Sequence, residues 1–156
     1  MNINLTEMIE NQLTAIWDYH GRQKFLHLYE NSIWHSGILG PETYRPSQPI
    51  WATRLAWRKN NYDAQAKYDA EFSRELVYRT EFIPLRNLHL ADFKKHSLLS
   101  FSRTHCNFSH DRMTRVLALW CIKNKLDGIV NVNGGEGEVV IAKPFEMLCV
   151  KSHFLL

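Results

Sequence analysis

A carboxylate at the head of an apolar run has no packing reason to be there. Glu138 is such a residue: it follows Gly134-Gly135-Glu136-Gly137 and leads into Val139-Val140-Ile141-Ala142. Delivered to a strand mouth by a glycine turn, it is either wetted at the strand end or held to meet a ligand. In the second case its chemistry is to accept a hydrogen bond and to stabilise positive charge developing on a bound substrate. Glu136, in the loop, is read as solvent-facing.

Three further groups of residues suit such a site. Ile33-Trp34-His35-Ser36-Gly37 brings a histidine to a strand end, followed by a glycine against which a ligand can lie closely. Trp51-Ala52-Thr53 ends a second short strand in a hydroxyl. Tyr62-Asp63-Ala64-Gln65-Ala66-Lys67-Tyr68 supplies aromatic faces of the kind that hold a flat cationic ring. Each also has a plain reading, as a hydrogen-bonded structural histidine or as tyrosines packed in a core. Arg103-Thr104-His105-Cys106 with His110 matches no zinc or iron spacing, so a polar loop and no metal are expected.

The elements that must position these residues are partly visible in the periodicity. Leu5, Met8, Ile9, Leu13, Ile16 and Trp17 recur at helical spacing, with Asn4 and Glu7 as a capping box. Gly21 interrupts this helix, and Phe25, Leu26 and Tyr29 are expected to line a second, shorter helical piece, making residues 1–31 an N-terminal helical segment. Strands are expected at 33–34 and 50–52, a helix at 55–72, and an alternating strand at 75–83. Residues 88–107 show no dominant period. A helix at 112–125 and strands at 128–133, 138–142 and 147–154 complete the chain. Mixed helices with short, mostly antiparallel strands predict an α+β fold.

The chain has 156 residues, 45% of them hydrophobic, which suits one domain with a proper core. A formal charge of +3 is too small to announce a nucleic-acid binder. Cys106, Cys121 and Cys149, without any C-x-x-C pattern, are read as small buried hydrophobes of a reducing compartment. The beginning has no secretory pattern, and no run approaches the ~20 apolar residues a membrane span needs. A cytoplasmic protein without a membrane partner is expected.

In their order along the chain, His-x-Gly on one strand, a hydroxyl closing the next, a helix with two tyrosines and a late strand opening on Glu resemble the ADP-ribosyltransferases. The likeness is greatest to the His-Tyr-Glu branch shared by diphtheria-type toxins and poly-ADP-ribose polymerases, and runs from about Ile33 to Leu148. Trp34 and Trp51 stand where that branch more often has tyrosine. The resemblance implies a split mixed or antiparallel β core flanked by helices, with residues 32–156 as an NAD-binding core in a single domain. It implies NAD as substrate, His35, Ser36 and Gly37 on the adenosine side, Thr53 after the second strand, Tyr62 or Tyr68 stacked on nicotinamide, and Glu138 as the catalytic residue, with Glu136 as a second acid that orients or deprotonates the incoming nucleophile.

It further implies transfer of ADP-ribose to a protein or nucleic acid by a toxin, effector or defence component, with an antitoxin or immunity protein as partner. Water in place of the acceptor would make the chain an NAD glycohydrolase. The same fold without activity would be a module binding ADP-ribose or nucleic acid, and Arg54, Arg58, Lys59 and Lys67, interleaved with Trp57 and Tyr62, would suit the latter.

Overall fold

The structure, a computed structural model, describes residues 4–37, 48–96, 110–132 and 136–156. Helix α1 (Leu5–Tyr19) is capped by Asn4, whose side chain accepts from the Thr6 N–H at 2.8 Å. Its apolar stripe is fully committed, with Ile9, Leu13, Ile16 and Trp17 all buried. Gly21 at φ +72° and Arg22 at φ +52° turn the chain out of the helix, and the Arg22 N–H closes on the Trp17 carbonyl.

The expected second helical piece is instead strand β1 (Lys24–His27), paired antiparallel with β5 (Leu88–His96). A four-residue segment forms no helix worth having alone, whereas it satisfies the exposed edge of β5. Strands β2 (Ile33–Gly37) and β3 (Ile50–Thr53) precede a 3-10 turn (Ala56–Arg58) and helix α2 (Lys59–Ala70). β4 (Tyr78–Pro84), β5, helix α3 (His110–Lys123), β6 (Gly128–Val132), β7 (Glu138–Ile141), the short helix α4 (Pro144–Met147) and β8 (Leu148–Leu155) follow.

The strands form one mixed sheet in the order β1-β5-β6-β7-β3-β2-β4-β8, so the α+β class with a mixed β core holds. Among the described residues the one parallel pair is β5 with β6, and α3 lies on the crossover such a pair demands. The ambiguity of residues 88–96 has a physical cause. Leu88 and Leu90 pack on one face of the sheet, Ala91 and Phe93 on the other, and a strand buried on both sides shows no alternation.

Two cores result. On one face α1 and α3 cover Ala91, Phe93, Ile129, Val132 and Val140. On the other, the sheet closes over Ile33, Ile50, Phe82, Leu90, Val139 and Ile141. Cys121 is a buried hydrophobe as expected; Cys149 is exposed, because β8 is an edge strand whose side chains beyond Leu148 are exposed to solvent, even where His153 stacks on Tyr78 and Arg79 lies over Phe154. Cys106, the Arg103–His105 segment and Gly134-Gly135 lie outside the described residues.

Trp120 is the keystone of the helical face. Its ring meets Trp17 edge-on at 5.4 Å and Phe93 at 5.6 Å, while its Nε1–H donates to Thr14 Oγ1 at 3.0 Å. Trp120→Ala empties this junction and orphans the Thr14 contact, and is expected to cost about 3–5 kcal/mol, measured by denaturant unfolding.

Candidate functional site

Glu138 is placed by backbone pairing and by the turn before it. It pairs with Thr53, which in turn pairs with Trp34, so the three side chains leave the same face of the sheet. Two strand spacings separate the backbones of Glu138 and Trp34, or roughly 10 Å. Gly137, at φ +75°, lets the chain enter β7, and a Cβ there would lie 2.4 Å from Leu55 Cγ. Its carbonyl accepts from the Arg54 N–H at 3.0 Å, and its own N–H donates to Asn131 Oδ1 at 2.8 Å. Asn131 is braced in turn, its Nδ2 donating to Asp92 Oδ1 at 3.1 Å.

The Glu138 side chain is only 15% exposed, and its Oε1 lies 3.9 Å from Arg58 at the turn leading into α2. Burial raises its pKa above the ordinary glutamate value, with Tyr62 and Arg58 acting against that rise. The Tyr62 phenol faces the same carboxylate, and burial first, then the negative charge of Glu138, push its ionisation far up, so it stays protonated. Yet Tyr62 Oη, Glu138 Oε2 and Arg58 Nε are all buried without a partner in hydrogen-bonding geometry. The phenol and the carboxylate bear on each other's ionisation, and Trp51 on the phenol's, so these are close polar groups short of ideal pairing, an arrangement able to receive a ligand's hydroxyls and ring.

The other expected residues divide around this cluster. Thr53 is fully buried beside it, its Oγ1 donating toward the Gly137 carbonyl at 3.4 Å and accepting from the Leu55 N–H at 3.2 Å. His35 follows Trp34 on the strand and so points away from the face that carries Glu138. Since a carbonyl can only accept, its Nδ1–H donates to the Trp51 oxygen at 2.8 Å, filling the seam where β2 and β3 part after a single bridge. Burial lowers the pKa of His35 against the effect of this bond, which makes it a neutral imidazole at neutral pH. Gly37 closes over it, a Cβ there lying 3.1 Å from His35 Nε2.

Ser36 is spent on structure: its Oγ donates to Asp63 Oδ1 at 2.6 Å, and Asp63 Oδ2 accepts from Arg79 at 2.7 Å. Tyr68 is 68% exposed and six residues beyond Tyr62, on another side of α2, so Tyr62 is the aromatic that the helix brings to Glu138. Glu136 is exposed on the turn.

Sequence reasoning missed the supporting residues Asp63, Arg79 and Asn131, and noted Arg58 only as a helix base. The i, i+4 spacing of Arg54 and Arg58, followed at once by Tyr62, was the available signal for Arg58. Asn131, inside an apolar strand, was the signal for itself.

A cleft of about 350 Å³ lies on the other side of Leu55, lined among others by Phe25, His27, Ser32, Trp34 and Arg54. Glu138 does not line it; the segment from Arg54 to Arg58 joins the two places. Among the described residues, no group of three or more His, Cys, Asp or Glu is arranged to hold a metal, and no helix is long and apolar enough to cross a membrane.

No protein-family model matches the sequence, and a search of curated proteins finds no match either. Among solved structures, a chain in the crystal structure of the M. tuberculosis MbcT-MbcA toxin-antitoxin complex matches with a TM-score of 0.54 at 10% identity. The match covers 98% of this chain and 94% of that one. It is a likeness of fold running the length of both.

Two substitutions separate support from site. Asp63→Ala strips Ser36 and Arg79 of their partner and is expected to lower stability by about 2 kcal/mol, read from denaturant midpoints. Gly137→Ala, strained in φ and driven into Leu55, is expected to cost about 1–3 kcal/mol and to shift the backbone amide resonances of Glu138 and Arg54 more than those of α1.

Proposed function

We propose that this chain is an NAD-dependent ADP-ribosyltransferase that breaks the nicotinamide–ribose bond and passes ADP-ribose to a macromolecular acceptor, protein or nucleic acid. The observation that carries this reading is the buried carboxylate of Glu138, flanked by Tyr62 and Arg58, with polar atoms on all three left open for a ligand. The order of motifs shared with the His-Tyr-Glu transferases supports it. We further propose that it acts as a toxin held in check by an antitoxin, which the fold shared with a chain of the MbcT-MbcA complex supports.

In this reading the bond between ribose C1′ and the pyridinium nitrogen breaks first. Its electron pair leaves with nicotinamide, which becomes neutral and needs no general acid. Positive charge is left on the ribose, and Glu138 answers it by accepting from the 2′-hydroxyl, while Tyr62 packs against the departing ring. A nucleophile then forms the new bond to C1′ and gives its proton to Glu136 or to water. Arg58 keeps Glu138 ionised against the burial that opposes its charge.

Glu138→Gln is expected to slow nicotinamide release about 10²–10³-fold while leaving the fold at least as stable, since burial disfavours the charged form. For the same reason the rate should fall on the acid side at a pH above that of a free glutamate. Arg58→Gln should move that acid limb higher still, because Arg58 lowers the Glu138 pKa. The check is a rate profile against pH with labelled NAD and candidate acceptors. Label on an acceptor supports transfer, and nicotinamide release alone assigns hydrolysis. Neither, with Glu138→Gln indistinguishable from the native chain, overturns the reading.

A further inference from the structure

The cleft beyond Leu55 holds a positive charge that nothing described answers. The Arg54 guanidinium lies on the Phe25 ring, 4.5 Å from its centroid, and its Nε is buried without a partner. No carboxylate among the described residues forms an ion pair with it, whereas Arg79, Arg86 and Arg22 each have one. Phe25 fixes the guanidinium in place, so little side-chain freedom remains to be lost when an anion arrives.

The neighbours suit an anion as well. His27 donates from Nε2 to the Asn31 carbonyl at 3.0 Å and has its pKa lowered by burial, with the Arg54 charge acting the same way. It therefore adds a polar wall rather than a competing cation. Ser32, also on the wall, donates to Glu81, and that carboxylate is already matched by Lys151 at 3.5 Å. Lys59 rests over the Trp34 ring at 5.7 Å and adds to the positive field.

We propose that this cleft is a phosphate-binding subsite in which Arg54, braced on Phe25, takes the diphosphate of the dinucleotide whose nicotinamide ribose lies at Glu138. The placement rests on the NAD reading. Arg54 and Arg58 are four residues apart, so even an extended backbone puts the two places within roughly 14 Å of each other. The Arg54 N–H on the Gly137 carbonyl ties this subsite to the turn that positions Glu138.

The test is calorimetric titration of the full chain with ADP, with adenosine and with a 5′-phosphorylated oligothymidine, beside NAD kinetics. ADP is expected to bind about 10-fold or more tighter than adenosine, as charge-assisted bonds of this kind allow. Arg54→Gln should abolish that preference and Arg54→Lys should keep part of it. In NAD cleavage, Arg54→Gln should raise KM about 10-fold with kcat little changed, a split that general unfolding would not give. Phe25→Leu, which keeps the charge but removes the brace, should weaken ADP several-fold and serves if Arg54→Gln fails to fold.

Equal binding of ADP and adenosine, or ADP binding indifferent to both Arg54 and Phe25, overturns the proposal. Binding of the oligothymidine but not of ADP overturns the dinucleotide as the source of the phosphate. Arg54-dependent ADP binding without any NAD cleavage leaves the subsite standing and removes the transferase reading instead.

Discussion

The hydrogen bond from the Gly137 N–H to the Asn131 side chain decides where Glu138 can be. One such bond contributes only about 1 kcal/mol, but it closes a turn that would otherwise enter β7 with no defined direction. Behind it stands a chain of constraints. Asn131 and Lys94 both adopt left-handed backbone, at φ +56° and +52°, where the pairing of β5 with β6 slips register. These irregularities in otherwise regular strands turn Asn131 and Asp92 toward the glycine turn. Asp92 shows the same local tension: burial would raise its pKa, yet the Lys94 N–H, Asn131 and the Lys94 charge together bring it below the ordinary aspartate range.

The charges of this protein fall into two kinds. Structural ones are matched closely. Asp127 accepts two bonds from Arg86, at 2.8 and 2.7 Å, and one from the His89 N–H, and Asp63 joins Ser36 on β2 to Arg79 on β4 beneath helix α2. Burying a charge is costly unless it is paired and hydrogen-bonded, and these sites meet that condition. Glu138, Arg58 and Arg54 do not. Their pairing is long or absent, and each keeps a buried polar atom unused. Among the described residues, most of the buried side-chain atoms short of a hydrogen-bond partner, on Arg54, Arg58, Tyr62 and Glu138, gather around one short connection, from the end of β3 to the start of α2.

That connection depends on how α2 is held. The helix has almost no apolar stripe; of its residues only Asp63, Ala66 and Ala70 are buried. Polar anchoring does what packing does for α1, and it sets the rotation that turns Tyr62 toward Glu138 and leaves Tyr68 in solvent. The sheet contributes the other half of the geometry, since the register of β7 with β3 and of β3 with β2 puts Glu138, Thr53 and Trp34 on one face.

The amino-acid sequence by itself determined the α+β class, the helix that carries Ile9, Leu13 and Trp17, the helix around Trp120, and the placing of Glu138 at a strand mouth. These follow from local rules: helical and strand periods, glycine punctuation, and the cost of a carboxylate in an apolar run. Only the tertiary structure decided that Lys24–His27 would be a strand, because its reward is an edge of β5 formed more than sixty residues later. Likewise only the fold chose Tyr62 over Tyr68, gave the Ser36 hydroxyl to Asp63, and set Arg54 on Phe25 beside a cleft. Each of these outcomes depends on groups distant in the chain meeting across strands, and neither spacing nor composition records which face of a helix or a strand will meet which partner.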